Sequence, residues 1–173
     1  MPPLYPVYHP EFYTATILEW KHLLKPDKYK DTVIETLRFL VTGERMRLFG
    51  FVIMSNHLHL IWQPLGQYLP KEIQHSFMTH TGQQIKLDLE KNHPAVLSRF
   101  KVNAKDRQYQ FWERNSLGIE LYTHAVFIQK LDYVHYNPVK AGRCQLPEEY
   151  HYSSARFYYT GVDEFGILSH YNG

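Results

Sequence analysis

The chain has 173 residues, of which 44% are hydrophobic and 16% aromatic, a composition that excludes low-complexity disorder and predicts a substantial core. We expect a single domain over residues 1–173, with residues 143–173 as a C-terminal tail packed on it. The formal net charge of +2 is too small to identify or to exclude a nucleic-acid partner.

The cellular compartment is predicted from cysteine usage, from the first residues of the chain and from the length of its apolar runs. Cys144 is the only cysteine in the sequence, which rules out an internal disulfide and favours a reducing compartment. The first residues, MPPLYPVYHPEFY, lack the basic segment and apolar core of a signal peptide. No apolar run approaches the roughly 20 residues that cross a bilayer. We therefore expect a soluble, cytoplasmic protein with no membrane partner.

The first half of the chain predicts three strands and a helix. Residues 12–20, FYTATILEW, are β-branched and aromatic with partial alternation, which is typical of a strand. Residues 27–41 carry apolar side chains at spacings of three and four, which predicts a helix. Residues 47–54 and 57–63 then read as two strands joined by a tight turn.

The second half predicts two long helices with a strand between them. We expect a helix over residues 70–91, an irregular segment over 92–106 and a strand over 109–113, YQFWE. A further helix begins near Thr123. It is expected to end near Asn137, because a residue that precedes a proline is pushed out of the helical region.

The order of these elements is β-α-β-β-α-β-α. Its first six members match the ferredoxin-like plan, an α+β fold with an antiparallel sheet and helices on one face. The other face of the sheet is then available to the last helix or to a ligand.

Two histidines interrupt the apolar strand in MSNHLHLIW. Side chains alternate along a strand, so His57 and His59 project from one face, roughly 7 Å apart at about 3.3 Å per residue. Two imidazoles so arranged can converge on one divalent ion. The alternative is that they line a half-polar sheet face and bind nothing. No four-ligand spacing of a structural zinc site is present.

The second candidate segment is LDYVHYNPVKAG. Tyr133 and Asn137 are four residues apart and share one helix face, which would approach the histidines if it covered the open sheet face. A phenol with a pKa of about 10 is a poor nucleophile without help from a cation or base, and a divalent ion that polarises a phosphodiester provides such help. The alternative is that Tyr133 is a packing residue.

Four motifs occur in a recognisable order: NHLHL at 56–60, FWER at 111–114, YVHYNPVKAG at 133–142 and YSSA at 152–155. Their order and spacing resemble the HUH single-tyrosine transposases of bacterial insertion sequences. Most similar is the branch associated with repetitive extragenic palindromes (REP). The resemblance spans about residues 10–160.

The resemblance implies a ferredoxin-like enzyme that binds hairpin DNA and cuts an adjacent single strand without a nucleotide cofactor. His57 and His59 would be ligands of Mg²⁺ or Mn²⁺, with Asn137 as the third ligand and His135 as the alternative. Tyr133 would be the nucleophile, which forms a 5′-phosphotyrosine and releases a 3′-hydroxyl. Both monomers and homodimers are implied, and the sequence leaves the choice between them open.

Two other functions remain open from the sequence. One is a nucleic-acid-binding module that keeps the fold without catalysis, since ferredoxin-like sheets bind single strands by stacking. The other is a metal-dependent phosphoesterase that activates water. Hydrolysis by water would survive Tyr133→Phe, whereas a tyrosine-based reaction would not.

Overall fold

The computed structural model describes residues 7–172 and contains a four-stranded antiparallel sheet. Its strands are β1 (Glu11–Thr16), β2 (Met46–Ile53), β3 (His57–Pro64) and β4 (Leu117–Glu120). Their order across the sheet is β2-β3-β1-β4, and every pairing is antiparallel. This is the strand order of the ferredoxin-like plan, and the predicted α+β fold is confirmed.

Within the described part of the chain, five helices accompany the sheet: α1 (Asp27–Thr42), α2 (Pro70–Asn92), α3 (Pro94–Ser98), α4 (His124–Lys140) and α5 (Ala155–Thr160). Short 3-10 turns lie at Leu18–Trp20 and Pro147–Glu149. None of the helices within residues 7–172 has the length and apolar character needed to span a membrane.

The two faces of the sheet carry two separate cores, because alternate strand residues point to opposite sides. On one side, Tyr13, Leu60 and Trp62 pack beneath α1 and α2. On the other side, Phe12 and Ile61 join a cluster that includes apolar residues of α4. The last long helix therefore occupies the sheet face that the sequence left open.

The prediction of a strand at 109–113 was wrong. Tyr109 and Trp112 form only isolated bridges, with Lys101 and Ile17, and the fourth strand is β4. All four residues of β4 are exposed at the sheet edge, and the strand is too short for its alternation to stand out in the sequence. The aromatic residues of 109–113 instead pack into the core beside α2.

The predicted helix end near Asn137 was also wrong, because α4 continues through Pro138 to Lys140. A proline inside a helix removes one backbone donor, and here the lost bond falls in the last turn. Pro138 is buried, so packing compensates for the local preference. The segment predicted to be irregular contains α3, and the strand predicted over residues 12–20 ends at Thr16.

Candidate active site

The side chains of His57 and His59 lie on the sheet face that α4 covers. Their ring centroids are 5.1 Å apart, and the neighbouring side chains Leu58 and Leu60 point into the opposite core. His59 is 5% exposed, whereas His57 is half-buried. The alternation expected from the sequence thus brings two imidazoles together at one place.

A hydrogen bond orients each ring of this pair. The Nδ1 atom of His57 lies 2.8 Å from the amide oxygen of Asn56, which only accepts, so this nitrogen carries the proton. The Nδ1 atom of His59 lies 2.9 Å from the hydroxyl of Thr14, its cross-strand partner. In both rings Nε2 is then the nitrogen available to a ligand, the arrangement by which outer partners orient metal-binding histidines.

Both imidazoles are neutral near pH 7. Burial, together with the nearby His57 and Lys130, lowers the pKa of His59 to about 3. Burial also lowers the pKa of His57, against an opposing side-chain hydrogen bond with Asn137. The neutral form is the one that coordinates a metal ion, so no proton has to be displaced at pH 7.

Tyr133 lies next to the histidine pair. Its ring centroid is 5.3 Å from that of His59 in an edge-on contact, and the side chain is 47% exposed. Its helix neighbours Leu131 and Val134 are buried in the core between α4 and the sheet. The phenol is therefore held at the edge of the interface, in contact with His59 and open to solvent.

The position of α4 depends on a cap and on a close approach to β2. The side chain of Thr123 accepts a hydrogen bond of 3.2 Å from the amide of Val126, which satisfies one free donor of the first turn. At Gly50, next to an irregularity in the β2–β3 pairing, an added Cβ would lie 2.8 Å from Cδ1 of Leu131. Only glycine allows the helix to lie this close to β2.

The two candidates for a third ligand have different surroundings. The half-buried side chain of Asn137 interacts with His57. His135 instead points to the other side, where its Nε2 lies 2.8 Å from Oγ of Ser154 and burial lowers its pKa to about 4. Within residues 7–172, no three His, Cys, Asp or Glu side chains are close enough to hold a metal ion together. A third protein ligand at the pair would therefore be a neutral oxygen such as that of Asn137.

Other tyrosines of this region face elsewhere. Tyr136 hydrogen-bonds with Tyr159, which raises the pKa of Tyr159. Tyr122 contacts the ring of His9 at 4.9 Å between centroids. Of Tyr122, Tyr133 and Tyr136, it is Tyr133 that contacts the histidine pair.

Three aromatic or cationic residues of the site were not identified from the sequence. Phe12 stacks on His59 with centroids 5.2 Å apart, and the Nζ atom of Lys130 lies 5.0 Å from the Phe12 ring centroid and 5.8 Å from that of Tyr133. Trp20 contacts His57 at 5.7 Å. The alternation of β1 was a usable signal for Phe12, but Trp20 carried none.

Comparison with known proteins gives a match in structure. No family model and no curated protein matches the chain by sequence. A REP-associated tyrosine transposase, whose structure was solved bound to a REP hairpin, superposes with a TM-score of 0.68 over 99% of this chain and 94% of that one, at 14% identity. The chain has the fold of a REP-associated tyrosine transposase.

A second solved structure is less similar. It is a candidate transposase from Deinococcus radiodurans R1, with a TM-score of 0.48 and 13% identity over 75% of this chain and 91% of that one. The fold expected from the sequence motifs thus agrees with the fold found in the first comparison.

Proposed function

We propose that the protein is a DNA transposase of the HUH type, a site-specific endonuclease that cuts single-stranded DNA in the cytoplasm with a tyrosine nucleophile and a divalent metal ion. The observation that carries the proposal is the contact between the exposed phenol of Tyr133 and His59, one of two neighbouring imidazoles on the same face of the sheet. The fold shared with a transposase bound to a REP hairpin supports hairpin DNA as the substrate.

The reaction exchanges one phosphoester for another. The Tyr133 oxygen attacks phosphorus, and the bond between phosphorus and the 3′ oxygen breaks. The leaving 3′ oxygen takes up a proton, while the phenol proton passes to solvent, to which this side chain is open. The product is a 5′-phosphotyrosine beside a free 3′-hydroxyl. Because a phosphoester is retained, rejoining requires no ATP.

The residues present fit a divalent cation such as Mg²⁺ or Mn²⁺. The Nε2 atoms of His57 and His59 and the amide oxygen of Asn137 would hold it, with Asn56 and Thr14 orienting the rings. A bound ion would polarise a phosphodiester oxygen and offset the charge that develops on it. Three protein ligands leave coordination positions for phosphate and water.

The test is a cleavage assay on fluorescent DNA hairpins with single-stranded flanks, drawn from repeats around the gene, with Mg²⁺ or Mn²⁺. We expect a covalent protein–DNA adduct on denaturing gels for the wild type, and its loss in Tyr133→Phe and His57→Ala. The matched control is Tyr136→Phe, which removes an exposed phenol from the same helix and should retain the adduct.

Each other outcome contradicts a defined part of the proposal. Cleavage without adduct that persists in Tyr133→Phe would indicate a phosphoesterase that activates water. Hairpin binding without cleavage in either metal would indicate a binding module. An adduct that is lost in Tyr136→Phe and kept in Tyr133→Phe would mean that the nucleophile is Tyr136 and not Tyr133.

A further inference from the structure

Trp20 is an exposed aromatic residue beside the histidine pair. Its side chain is 59% exposed, and its ring contacts that of His57 at 5.7 Å between centroids. The contacts continue from His57 to His59, at 5.1 Å between ring centroids, and from His59 to Tyr133, at 5.3 Å. Trp20 and Tyr133 therefore flank the imidazole pair from opposite ends.

The backbone holds Trp20 in an unfavourable conformation. Glu19 and Trp20 have φ angles of 55° and 57°, in the left-handed region that disfavours residues other than glycine. Long-range contacts maintain this turn, because the amide of Glu19 donates to Oε1 of Glu113 at 2.7 Å and the amide of Leu18 donates to the carbonyl of Phe111 at 2.8 Å. Strain of this kind persists where surrounding structure enforces it and concentrates at functional sites.

We propose that Trp20 is a stacking platform for an unpaired DNA base that flanks the phosphate to be cut, an inference that rests on the proposed function. An exposed indole offers a π-face to any base, so the contact would tolerate different sequences. A base inside a duplex has both faces covered by its neighbours, so the platform selects single-stranded DNA.

The position of Trp20 defines its role. The two imidazoles separate it from Tyr133, so it does not reach the reacting atoms and acts as a binding and positioning residue. A base held at Trp20 fixes one end of the strand, and the adjoining phosphate then lies over the histidine pair. Correct placement of a reactant lowers the barrier without new chemistry.

Tryptophan fluorescence gives a direct test. The sequence has three tryptophans, and Trp62 and Trp112 are only 1% and 6% exposed, so quenching by a stacked base reports on Trp20. Wild-type protein without divalent metal is titrated with a short oligothymidylate. We expect quenching in the wild type and none in Trp20→Phe, which keeps both buried tryptophans.

Affinity for the same oligonucleotide, measured by fluorescence anisotropy, is the second readout. Trp20→Ala should bind about 5- to 150-fold more weakly, the range for loss of one base–aromatic stack, and Trp20→Phe should retain most of the affinity. The matched control is Phe39→Ala, which removes a 50% exposed aromatic side chain from α1 on the opposite face of the sheet. Its affinity should equal that of the wild type.

Quenching that persists in Trp20→Phe, or equal affinity of Trp20→Ala and wild type, would overturn the inference. Both measurements are made without metal and without cleavage. A protein that shows Trp20-dependent quenching but never forms an adduct would therefore contradict the proposed endonuclease and leave the stacking site in place.

Discussion

The imidazole of His59 is fixed by contacts on several sides. Phe12 stacks on its face, Thr14 hydrogen-bonds its Nδ1 and Tyr133 meets it edge-on. These contacts fix one ring orientation before any ligand arrives. Since rotamer freedom has already been lost on folding, a metal ion bound there would require little further ordering of the site.

A metal-binding measurement distinguishes the two candidate third ligands. We expect Asn137→Ala to weaken Mn²⁺ binding by at least about 10-fold, and Asn137→Asp to preserve or strengthen it, because carboxylate oxygen suits Mn²⁺. His135→Gln should leave Mn²⁺ affinity unchanged, since His135 faces Ser154. Titration calorimetry of the folded variants measures all three. A loss of affinity in His135→Gln with none in Asn137→Ala would reverse the assignment.

The strained turn at Trp20 predicts a difference in stability between two variants that both lack the indole ring. Trp20→Gly removes the side chain and also relieves the left-handed φ of 57°. Its free energy of unfolding should exceed that of Trp20→Ala by about 1 kcal/mol, the penalty for a Cβ in this region. Urea denaturation of both variants measures the difference. Equal stabilities would mean that the turn carries no strain.

At the scale of elements, the packing of α4 on β2 determines where Tyr133 lies. Gly50→Ala places a methyl group against Leu131 and near Oγ of Ser154, at 2.8 and 3.3 Å. Overpacking of this kind should destabilise the fold by about 1–3 kcal/mol and lower adduct formation as α4 shifts. Denaturant unfolding and the adduct assay report the two effects.

The control for Gly50→Ala is Gly82→Ala. Gly82 lies inside α2, where an added Cβ meets only ordinary contact, 3.9 Å from the Phe111 ring. Alanine is favoured over glycine in a helix, so this variant should be stabilised by about 0.5–1 kcal/mol.

Combining Gly50→Ala with Leu131→Ala should cost less than the sum of the two single changes, because the methyl group then fills space that leucine vacates. Additive costs would contradict the steric account.

The pairing of α1 with α2 predicts a dependence of stability on pH. Hydrogen bonds from Lys28, Tyr29 and Asn92 hold the pKa of Asp88 at about 2, below its ordinary value of 3.8. A carboxyl with a lowered folded-state pKa contributes stability above pH 3.8 and loses it as the pH falls toward 2. Asp88→Asn should cost less than about 1 kcal/mol at pH 7, because the ion pair of Asp88 with Lys28 is partly exposed and solvent screens it. The cost should vanish near pH 2 in unfolding titrations; a cost that is constant with pH would contradict the linkage.

The sequence predicted those elements whose pattern is local. Alternation identified β3 and the facing of its histidines, and apolar spacing identified α1 almost to its ends. The exposed edge strand β4 is only four residues long, and an added Cβ at Gly118 there would approach the carboxylate of Glu11 within 2.6 Å. The turn at Trp20 depends on Glu113, 94 residues from Glu19 in the chain. Contacts between distant segments leave no periodic signal in a sequence.

For the whole molecule, the sheet separates two cores and places the candidate site at the edge of the smaller one. Among the described residues, the larger core beneath α1 and α2 contains no site residue, and it stabilises the sheet. The smaller core holds α4, so the tyrosine, its helix and the histidine strand share one packed unit. Because the site lies at the edge of the smaller core and not inside it, aromatic and charged groups such as Lys130 can remain at its surface.

The charge of the whole molecule predicts how DNA binding depends on salt. The slope of affinity against salt depends on how many phosphates the Lys and Arg side chains neutralise, and Lys130 beside Tyr133 should contribute to it. We expect Lys130→Gln to reduce the slope of log affinity against log salt by about 0.7, the value for one phosphate contact on a single strand. Lys91→Gln, at the exposed end of α2 on the other side of the sheet, should leave the slope unchanged. Anisotropy titrations over a range of salt concentrations measure both slopes, and equal changes in the two variants would mean that Lys130 contributes only to the overall charge.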